Sequence, residues 1–165
     1  MINPHLLETI MQIISDSGIP NDYIEIELTE TTTDVEFTDL KHVVGGLQQQ
    51  GVFTSVDDFG IGYSSLNLIR AIPWNVLKVD KSFLPTAADD DSGDCKSSIM
   101  FKHVVAMARE LGLECIAEGV ETKEQVDILR ENGCMIAQGF YFDKPLPIEE
   151  FEKRLENQSY PLDKE

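Results

Sequence analysis

The segment 52–60 reads VFTSVDDFG, a short apolar run rich in β-branched residues that ends on two adjacent aspartates. Three other short apolar runs also end on a charged residue, at Glu27, Lys78 and Glu118. In a protein of alternating strands and helices, such strand ends meet along one rim of the sheet, where these folds place their active sites. Carboxylates crowded at a rim repel one another unless they share cations. The pattern therefore predicts a divalent-metal site with a lysine beside it, and hence phosphate chemistry.

Apolar periodicity along the rest of the chain predicts one helix followed by five strand and helix units. We expect strands at 23–28, 52–56, 76–79, 115–117 and 135–137, and helices around 4–18, 40–51, 66–69, 99–112, 122–133 and 148–155. Parallel strands with short connections form either an open doubly wound sheet or part of a barrel. Open sheets covered on both faces have almost continuously apolar strands, whereas Glu25, Glu27 and Lys78 lie inside strands. We therefore predict an α/β fold, a partial TIM-like (β/α) barrel with five parallel strands alternating with helices.

Length and charge limit what the protein can be. Its 165 residues suffice for one domain with a core but not for two ordinary ones. A net charge of −17 argues against DNA, RNA or an anionic membrane as a partner, since each would need a basic face. An acidic protein can still bind an anionic substrate if metal ions invert the local potential.

We expect no targeting signal within this sequence. No apolar stretch approaches the roughly 18 residues of a membrane span, and the N-terminus lacks a basic start followed by an apolar core. The three cysteines are widely spaced, which predicts buried or free thiols in a reducing compartment. We therefore expect a cytoplasmic protein without direct membrane insertion, although a longer parent chain could be tethered.

Five short motifs carry a resemblance to a known family. They occur in order along nearly the whole chain: Glu27-Leu28-Thr29-Glu30, Asp57-Asp58-Phe59-Gly60-Ile61-Gly62, Lys78-Val79-Asp80, Glu118-Gly119-Val120-Glu121 and Gln138-Gly139-Phe140. Together they closely resemble the EAL family of cyclic di-GMP phosphodiesterases. A single match would mean little, because an Asp-Asp-Phe-Gly segment also resembles a kinase metal motif. The resemblance rests on all five motifs occurring together and in the family's order.

The resemblance implies a TIM-like barrel that binds two divalent cations, Mg²⁺ or Mn²⁺, and hydrolyses one phosphodiester of cyclic di-GMP to the linear dinucleotide. Matched position by position, it implies that Glu27, Asp57 and Asp58 are metal ligands, with Asp57 bridging the ions. Glu118 matches a carboxylate that serves the second ion and is also proposed as the general base. Lys78 matches the lysine that holds the attacking water and the phosphate.

Three further residues match supporting positions of the family. Glu30 matches the glutamate that braces the loop after the aspartates, while Glu121 and Gln138 match residues that support the substrate and the site. Each charged residue also has an ordinary structural explanation that the sequence leaves open. The two aspartates could cap a helix, for example, and Lys78 could be an ion-pair partner of Glu25.

The chain departs from the family at its N-terminal end. The namesake Glu-Ala-Leu segment and the asparagine on the following strand are missing, and Ile61 stands where the family has a threonine. We expect residues 1–157 to form an EAL-like domain that lacks its N-terminal strands, followed by a frayed tail at 158–165. A barrel cut to five strands exposes two edges and its interior. We therefore expect a homodimer or a piece of a longer protein, with weak or absent hydrolysis.

Aromatic residues are assigned mainly to the core. Phe53, Phe59, Trp74 and Phe83 are expected to be buried and not to serve as platforms for nucleobases. Phe140, Tyr141 and the Lys144-Pro145 turn are candidates for the border of a guanine pocket.

Two other functions stay open. One is a degenerate EAL module that binds cyclic di-GMP or a protein partner without catalysis. The other is a receiver-like signalling domain, which five parallel strands, an acidic pair and Lys144-Pro145 superficially resemble. A receiver should carry its acidic pair after the first strand, whereas Asp57-Asp58 follows the second.

Overall fold

The structure of the chain is a computed structural model that describes residues 5–29, 37–60, 65–84 and 96–157. Within these residues, helices and strands alternate as predicted. In chain order they are α1 (Leu6–Ser17), β1 (Glu25–Thr29), α2 (Phe37–Gln49), β2 (Phe53–Phe59), α3 (Ser65–Ala71), β3 (Val76–Val79), α4 (Lys96–Glu110), β4 (Glu114–Ala117), α5 (Lys123–Glu131), β5 (Ile136–Ala137) and α6 (Ile148–Asn157). Short 3-10 helices at Asn21–Tyr23 and Lys81–Phe83 precede β1 and follow β3. The tail expected at 158–165 lies outside the described residues.

The strands of the described part form one parallel sheet whose spatial order is the chain order, β1-β2-β3-β4-β5. A doubly wound open sheet has a point where the strand order reverses, and a receiver sheet runs 2-1-3-4-5. Neighbouring parallel strands taken in succession are instead the arrangement of a (β/α) barrel. The predicted α/β fold, part of a TIM-like barrel, is therefore confirmed, and the receiver-like alternative is wrong.

The alternation in β1 separates its acidic side chains from its apolar ones. Ile26 and Leu28 are half-buried and pack against apolar clusters, whereas Glu25 and Glu27 are exposed. Successive side chains of a strand point to opposite faces of the sheet. Glu27 therefore projects from the face that is turned away from the helices.

The core lies between the sheet and the surrounding helices. The larger apolar cluster includes Val56, Leu77 and Phe101, each with no exposed surface. A smaller cluster joins α1, α2 and the start of β2, with Ile14 and Leu47 buried in it. Burying each such side chain contributes about 1.5–3 kcal/mol. This packing fixes the strands, and so determines where their carboxyl ends lie.

One core prediction is wrong. Phe59 and Trp74 are buried and Phe83 is partly buried as expected, but Phe53 is 44% exposed. The reason is its register: Phe53 pairs with Glu25, so it lies on the sheet face away from the helices. A β-branched run shows that a strand is present, but it does not show which face of that strand the core covers.

Among the described residues, no helix combines the length and apolar character needed to cross a bilayer.

Candidate metal and phosphate site

Carboxylates from β1, β2 and the end of β4 surround the ammonium group of Lys78 in β3. Its Nζ donates a hydrogen bond to Glu27 Oε1 at 2.6 Å, pairs with Glu118 Oε1 at 2.8 Å and lies 3.7 Å from Asp57 Oδ1. The Lys78 side chain is 10% exposed. The structure thus brings together four of the predicted site residues at one rim of the sheet. The partner of Lys78 in β1 is Glu27 and not Glu25.

A β-bulge places two adjacent aspartates opposite one lysine. The register of β2 against β3 shifts between Val56 and Phe59, so Asp57 and Asp58 together lie opposite Lys78. Successive side chains of a regular strand point to opposite faces, whereas the extra residue of a bulge bends the strand and re-aims side chains. Asp58 accordingly has a φ of +55°, and its N–H donates to Asp57 Oδ1 at 2.9 Å. The bulge explains how two adjacent aspartates of one strand can both lie at the same rim of the sheet.

Charge at this rim is unbalanced toward negative. Burial by itself would lower the pKa of Lys78, but hydrogen bonds to Glu118 and Glu27 outweigh it and raise that pKa above its ordinary value. Burial raises the pKa of Glu118, against the opposing effect of the Lys78 ammonium. Burial and then the charge of Asp57 raise the pKa of Asp58. Four carboxylates gathered around the Lys78 ammonium leave a negative surplus that a divalent cation would reduce.

The donor set fits a hard divalent cation in its chemistry. Carboxylate oxygens are the ligands that Mg²⁺ and Mn²⁺ prefer. Among the described residues, no three His, Cys, Asp or Glu side chains are arranged to hold a metal ion as they stand. Oxygens of Glu27 and Glu118 instead share the Nζ of Lys78. A cation bound by these carboxylates would therefore require the ammonium to move from between them.

Gln138 reaches the same rim from the end of β5. Its Nε2 donates to Glu118 Oε1 at 2.8 Å, so that oxygen accepts from both Gln138 and Lys78. The backbone holds the two strand ends together, because Val120 N–H donates to the carbonyl of Gln138 at 3.1 Å. A side chain at Gly139 would overlap the backbone of Val120, which explains the glycine there.

Glu121 lines a cavity of about 520 Å³ that adjoins the carboxylate rim through Gln138. The cavity is also lined by Gln138, Phe140, Lys144 and Arg154. It therefore combines an aromatic ring with cationic side chains, and it shares Gln138 with the carboxylate rim. The backbone N–H of Glu121 donates to Oε1 of Gln125, a capping-box residue in the first turn of α5, at 2.8 Å. This hydrogen bond fixes the segment that carries Glu121.

Glu30 is the remaining predicted site residue, and it lies outside the described residues. Asp80 is a further acidic residue near the rim. Asp80 lies two residues after Lys78, and its negative charge helps to raise the pKa of Asp58. Its side chain accepts a hydrogen bond from Ser82 N–H at 2.8 Å. The sequence held a signal for Asp80, since it directly follows β3 at the same rim.

Comparison with known proteins identifies the family. The family model described as the EAL domain matches residues 1–145. The chain belongs to the EAL domain family. It is 35% identical to the cyclic di-GMP phosphodiesterase NbdA of Pseudomonas aeruginosa, in an alignment that covers 91% of this chain and 19% of NbdA.

Solved EAL structures have the same fold. The EAL domain of Mycobacterium smegmatis DcpA superimposes with a TM-score of 0.84 at 32% identity, covering 95% of this chain and 69% of that one. Klebsiella pneumoniae BlrP1, solved as a complex with manganese and cyclic di-GMP, gives a TM-score of 0.73 at 30% identity, covering 87% and 36%. The chain spans about a fifth of the length of the curated relatives it matches.

Proposed function

We propose that this EAL domain binds cyclic di-GMP at the rim around Lys78 and hydrolyses one of its phosphodiester bonds to give the linear dinucleotide. The observation that carries the proposal is the convergence of Glu27, Asp57 and Glu118, from three strands, on one buried ammonium. Family membership supports it, as do the phosphodiesterase name of NbdA and the BlrP1 complex.

The side chains at the rim have distinct proposed roles. Lys78 would hold the attacking water and a phosphate oxygen, and Glu118 would accept a proton from that water as the water oxygen bonds to phosphorus. The P–O ester bond then breaks, and the leaving sugar oxygen takes a proton from solvent and stays on the linear dinucleotide. The raised pKa of Glu118 is the direction that improves a carboxylate as a base. Gln138 holds Glu118 in place through their 2.8 Å hydrogen bond.

We further propose two divalent cations, Mg²⁺ or Mn²⁺, held by Glu27, Asp57, Asp58 and Glu118. Cations at these ligands would lower the pKa of a coordinated water and stabilise charge on the attacking and leaving oxygens. The surplus of carboxylates at the rim and the bulge that adds Asp58 to them support this ligand set.

The cavity beside the rim is the proposed place for a nucleobase. Phe140 supplies a ring beside which the Lys144 ammonium lies 5.5 Å from the centroid. Glu121 could accept from donors on a guanine edge, and Gln138 links the cavity to Glu118. An aromatic face with a cation and a carboxylate suits a purine joined to a phosphate.

We also propose that the open edges of β1 and β5 are covered in the working protein, by a second copy or by N-terminal strands of the same domain. In the described residues, each of these strands pairs on one side only. Phe53 and Ile136 are 44% and 39% exposed on the sheet face away from the helices. Sedimentation velocity should show dimers or larger species, and a well-behaved monomer would contradict the proposal for this chain.

A cytoplasmic location and the exclusion of nucleic acid are part of the same proposal. Cys115 and Cys134 are free thiols, as expected in a reducing compartment. The net charge of −17 opposes binding to DNA or RNA.

A second candidate function is binding of cyclic di-GMP without cleavage. It is favoured by the closure of the Glu27 and Glu118 carboxylates on Lys78, which leaves no ready metal position among the described residues. On that closed geometry we expect hydrolysis to be weak or absent. The two functions differ in product formation, and both require binding.

The test combines calorimetry with chromatography. Purified chain is titrated with cyclic di-GMP in Mn²⁺ or in EDTA, and the linear dinucleotide is quantified over hours. Metal-dependent binding with slow product formation, lost in Asp57→Asn but kept in the exposed control Asp127→Asn, would support the phosphodiesterase proposal. Binding without product would favour the second function, and absence of binding under every condition would reject both.

A further inference from the structure

Two cysteines are neighbours in space, Cys115 in β4 and Cys134 just before β5. Cys134 is 3% exposed, and its Sγ donates to the carbonyl of Cys115 at 3.5 Å. Cys134 Sγ also donates to the carbonyl of Ile136 at 3.5 Å, so it lies against Cys115 although 19 residues separate the two in the chain. Neither forms a disulfide in the structure.

Backbone contacts fix this proximity. The parallel pairing of Ile116 with Ile136 aligns β4 and β5 just beyond the two cysteines. On the other side, Cys134 N–H donates to the carbonyl of Leu129 at 2.9 Å, after the left-handed turn at Gly133 that ends α5. The backbone therefore holds the two cysteines side by side from both directions.

The two thiols are chemically unequal. The neighbouring Cys115 side chain lowers the pKa of Cys134, even though burial acts in the opposite direction. The neighbouring Cys134 side chain, followed by burial, raises the pKa of Cys115. Cys134 is thus the thiol that forms a thiolate more readily, and Cys115 is the neighbouring thiol. A thiolate beside a second thiol is the arrangement found in redox-responsive pairs.

We propose that Cys115 and Cys134 form a reversible intramolecular disulfide when the protein meets a peroxide. The Cys134 thiolate attacks one oxygen of hydrogen peroxide, the O–O bond breaks, and Cys134 sulfenic acid forms as the second oxygen leaves as water after protonation. Cys115 sulfur then attacks the sulfenic sulfur, the S–O bond breaks and a second water leaves. In total, two thiols and one peroxide give one disulfide and two waters.

The disulfide would act on the strand ends at the rim. An S–S bond is about 2.05 Å long, shorter than any thiol hydrogen bond, so its formation draws β4 and the start of β5 together. Glu118 lies three residues beyond Cys115, and Gln138 lies four residues beyond Cys134. Their 2.8 Å hydrogen bond joins these two segments. This consequence for the rim rests on the proposed function, whereas disulfide formation does not.

The primary test is a thiol count and a disulfide map. The purified protein is treated with a small excess of hydrogen peroxide, denatured, and titrated with a thiol reagent. We expect titratable thiols to fall from three to one, the mass of the monomer to fall by about 2 Da for two lost hydrogens, and dithiothreitol to restore both. Peptide mapping should join the peptides that contain Cys115 and Cys134.

Variants separate this pair from the third cysteine. Cys95→Ser should still lose two thiols on oxidation, whereas Cys115→Ser and Cys134→Ala should lose none to an intramolecular disulfide. Cys115 is half-buried, so its variant keeps the test valid if the buried Cys134 variant fails to fold. A disulfide mapped to Cys95, a link between chains, or three unchanged thiols would overturn the proposal.

A second readout addresses the effect on the rim. If the disulfide shifts Glu118 and Gln138, oxidised protein should show a different Mn²⁺-induced change in Tm from reduced protein, and Cys115→Ser should show no such difference. Since mapping needs neither metal nor substrate, failure of the disulfide and failure of the proposed function give different results.

Discussion

Replacing Lys78 by methionine would remove the ammonium on which the rim carboxylates converge, while keeping a side chain of similar length. Glu27, Asp57 and Glu118 would then face one another without the cation that they share. The metal-free protein should lose stability, because like charges held together in a partly buried site repel.

The size of the loss follows from burial. Removing one partner of a buried ion pair costs about 3–5 kcal/mol. The side chains of Lys78 and Glu118 are 10% and 16% exposed, but that of Glu27 is 46% exposed and can be rehydrated. We therefore expect a loss of about 2–3 kcal/mol. For a protein of this size, each kcal/mol lowers Tm by roughly 2–4 °C, so the decrease should be about 4–12 °C.

Mn²⁺ should change the Tm of the wild type and of Lys78→Met by different amounts. A divalent cation competes with the ammonium in the wild type but not in Lys78→Met, so Mn²⁺ should raise Tm more in the variant. Differential scanning calorimetry in EDTA and in Mn²⁺ measures both effects, with Lys102→Met, an exposed lysine of α4, as the matched control. Equal Tm values for the two variants, together with no response of Lys78→Met to Mn²⁺, would refute the reasoning.

The stabilisation by Lys78 also has a defined pH dependence. Its pKa is raised on folding, so the folded state binds the proton more tightly than the unfolded state does. The contribution is therefore complete below the unfolded pKa of about 10.4 and is lost as pH rises through the higher folded pKa. The difference in free energy of unfolding between wild type and Lys78→Met should be constant from neutral pH, where the partner carboxylates are ionised, up to about pH 10, and shrink above it. A difference that grows with alkaline pH would contradict the sign.

Three further substitutions test the bulge and the end of β5. Asp58→Gly removes a side chain at φ +55° and should raise the free energy of unfolding by about 1 kcal/mol in EDTA, while weakening Mn²⁺ binding by calorimetry. Gly139→Ala forces a methyl group into the backbone of Val120 and should cost about 3 kcal/mol in urea unfolding; no change would mean that this close approach is wrong. Gln138→Leu removes the hydrogen bond to Glu118 and should slow any Mn²⁺-dependent production of linear dinucleotide while changing Tm little; an unchanged rate would remove Gln138 from the site.

Much of the fold is readable from local patterns. Apolar alternation and the charged residues that end the strands locate β1 to β5 within a few residues, and the capping box at Thr122 and Gln125 marks the start of α5. These signals are local because strand and helix periodicity and capping depend on residues close in sequence. The same charges, embedded in strands, indicated a barrel segment and not an open sheet.

Details of the site could not be read in the same way. The sequence shows Asp57 and Asp58 as neighbours, which in a regular strand would point to opposite faces. Only the register of β2 against β3 produces the bulge that sets both opposite Lys78. Likewise, the pairing of Lys78 with Glu27 in place of Glu25, and the exposure of Phe53, depend on which face of the sheet the helices cover.

The sequence by itself therefore determined the element order, the family resemblance and the residue types gathered at the rim, because each follows from short-range periodicity and from the order of motifs along the chain. Tertiary structure alone decided which carboxylate oxygens share the Lys78 ammonium and that Cys115 meets Cys134 across 19 residues. Those contacts join strands distant in sequence, and they are set by register and packing, which no local pattern encodes.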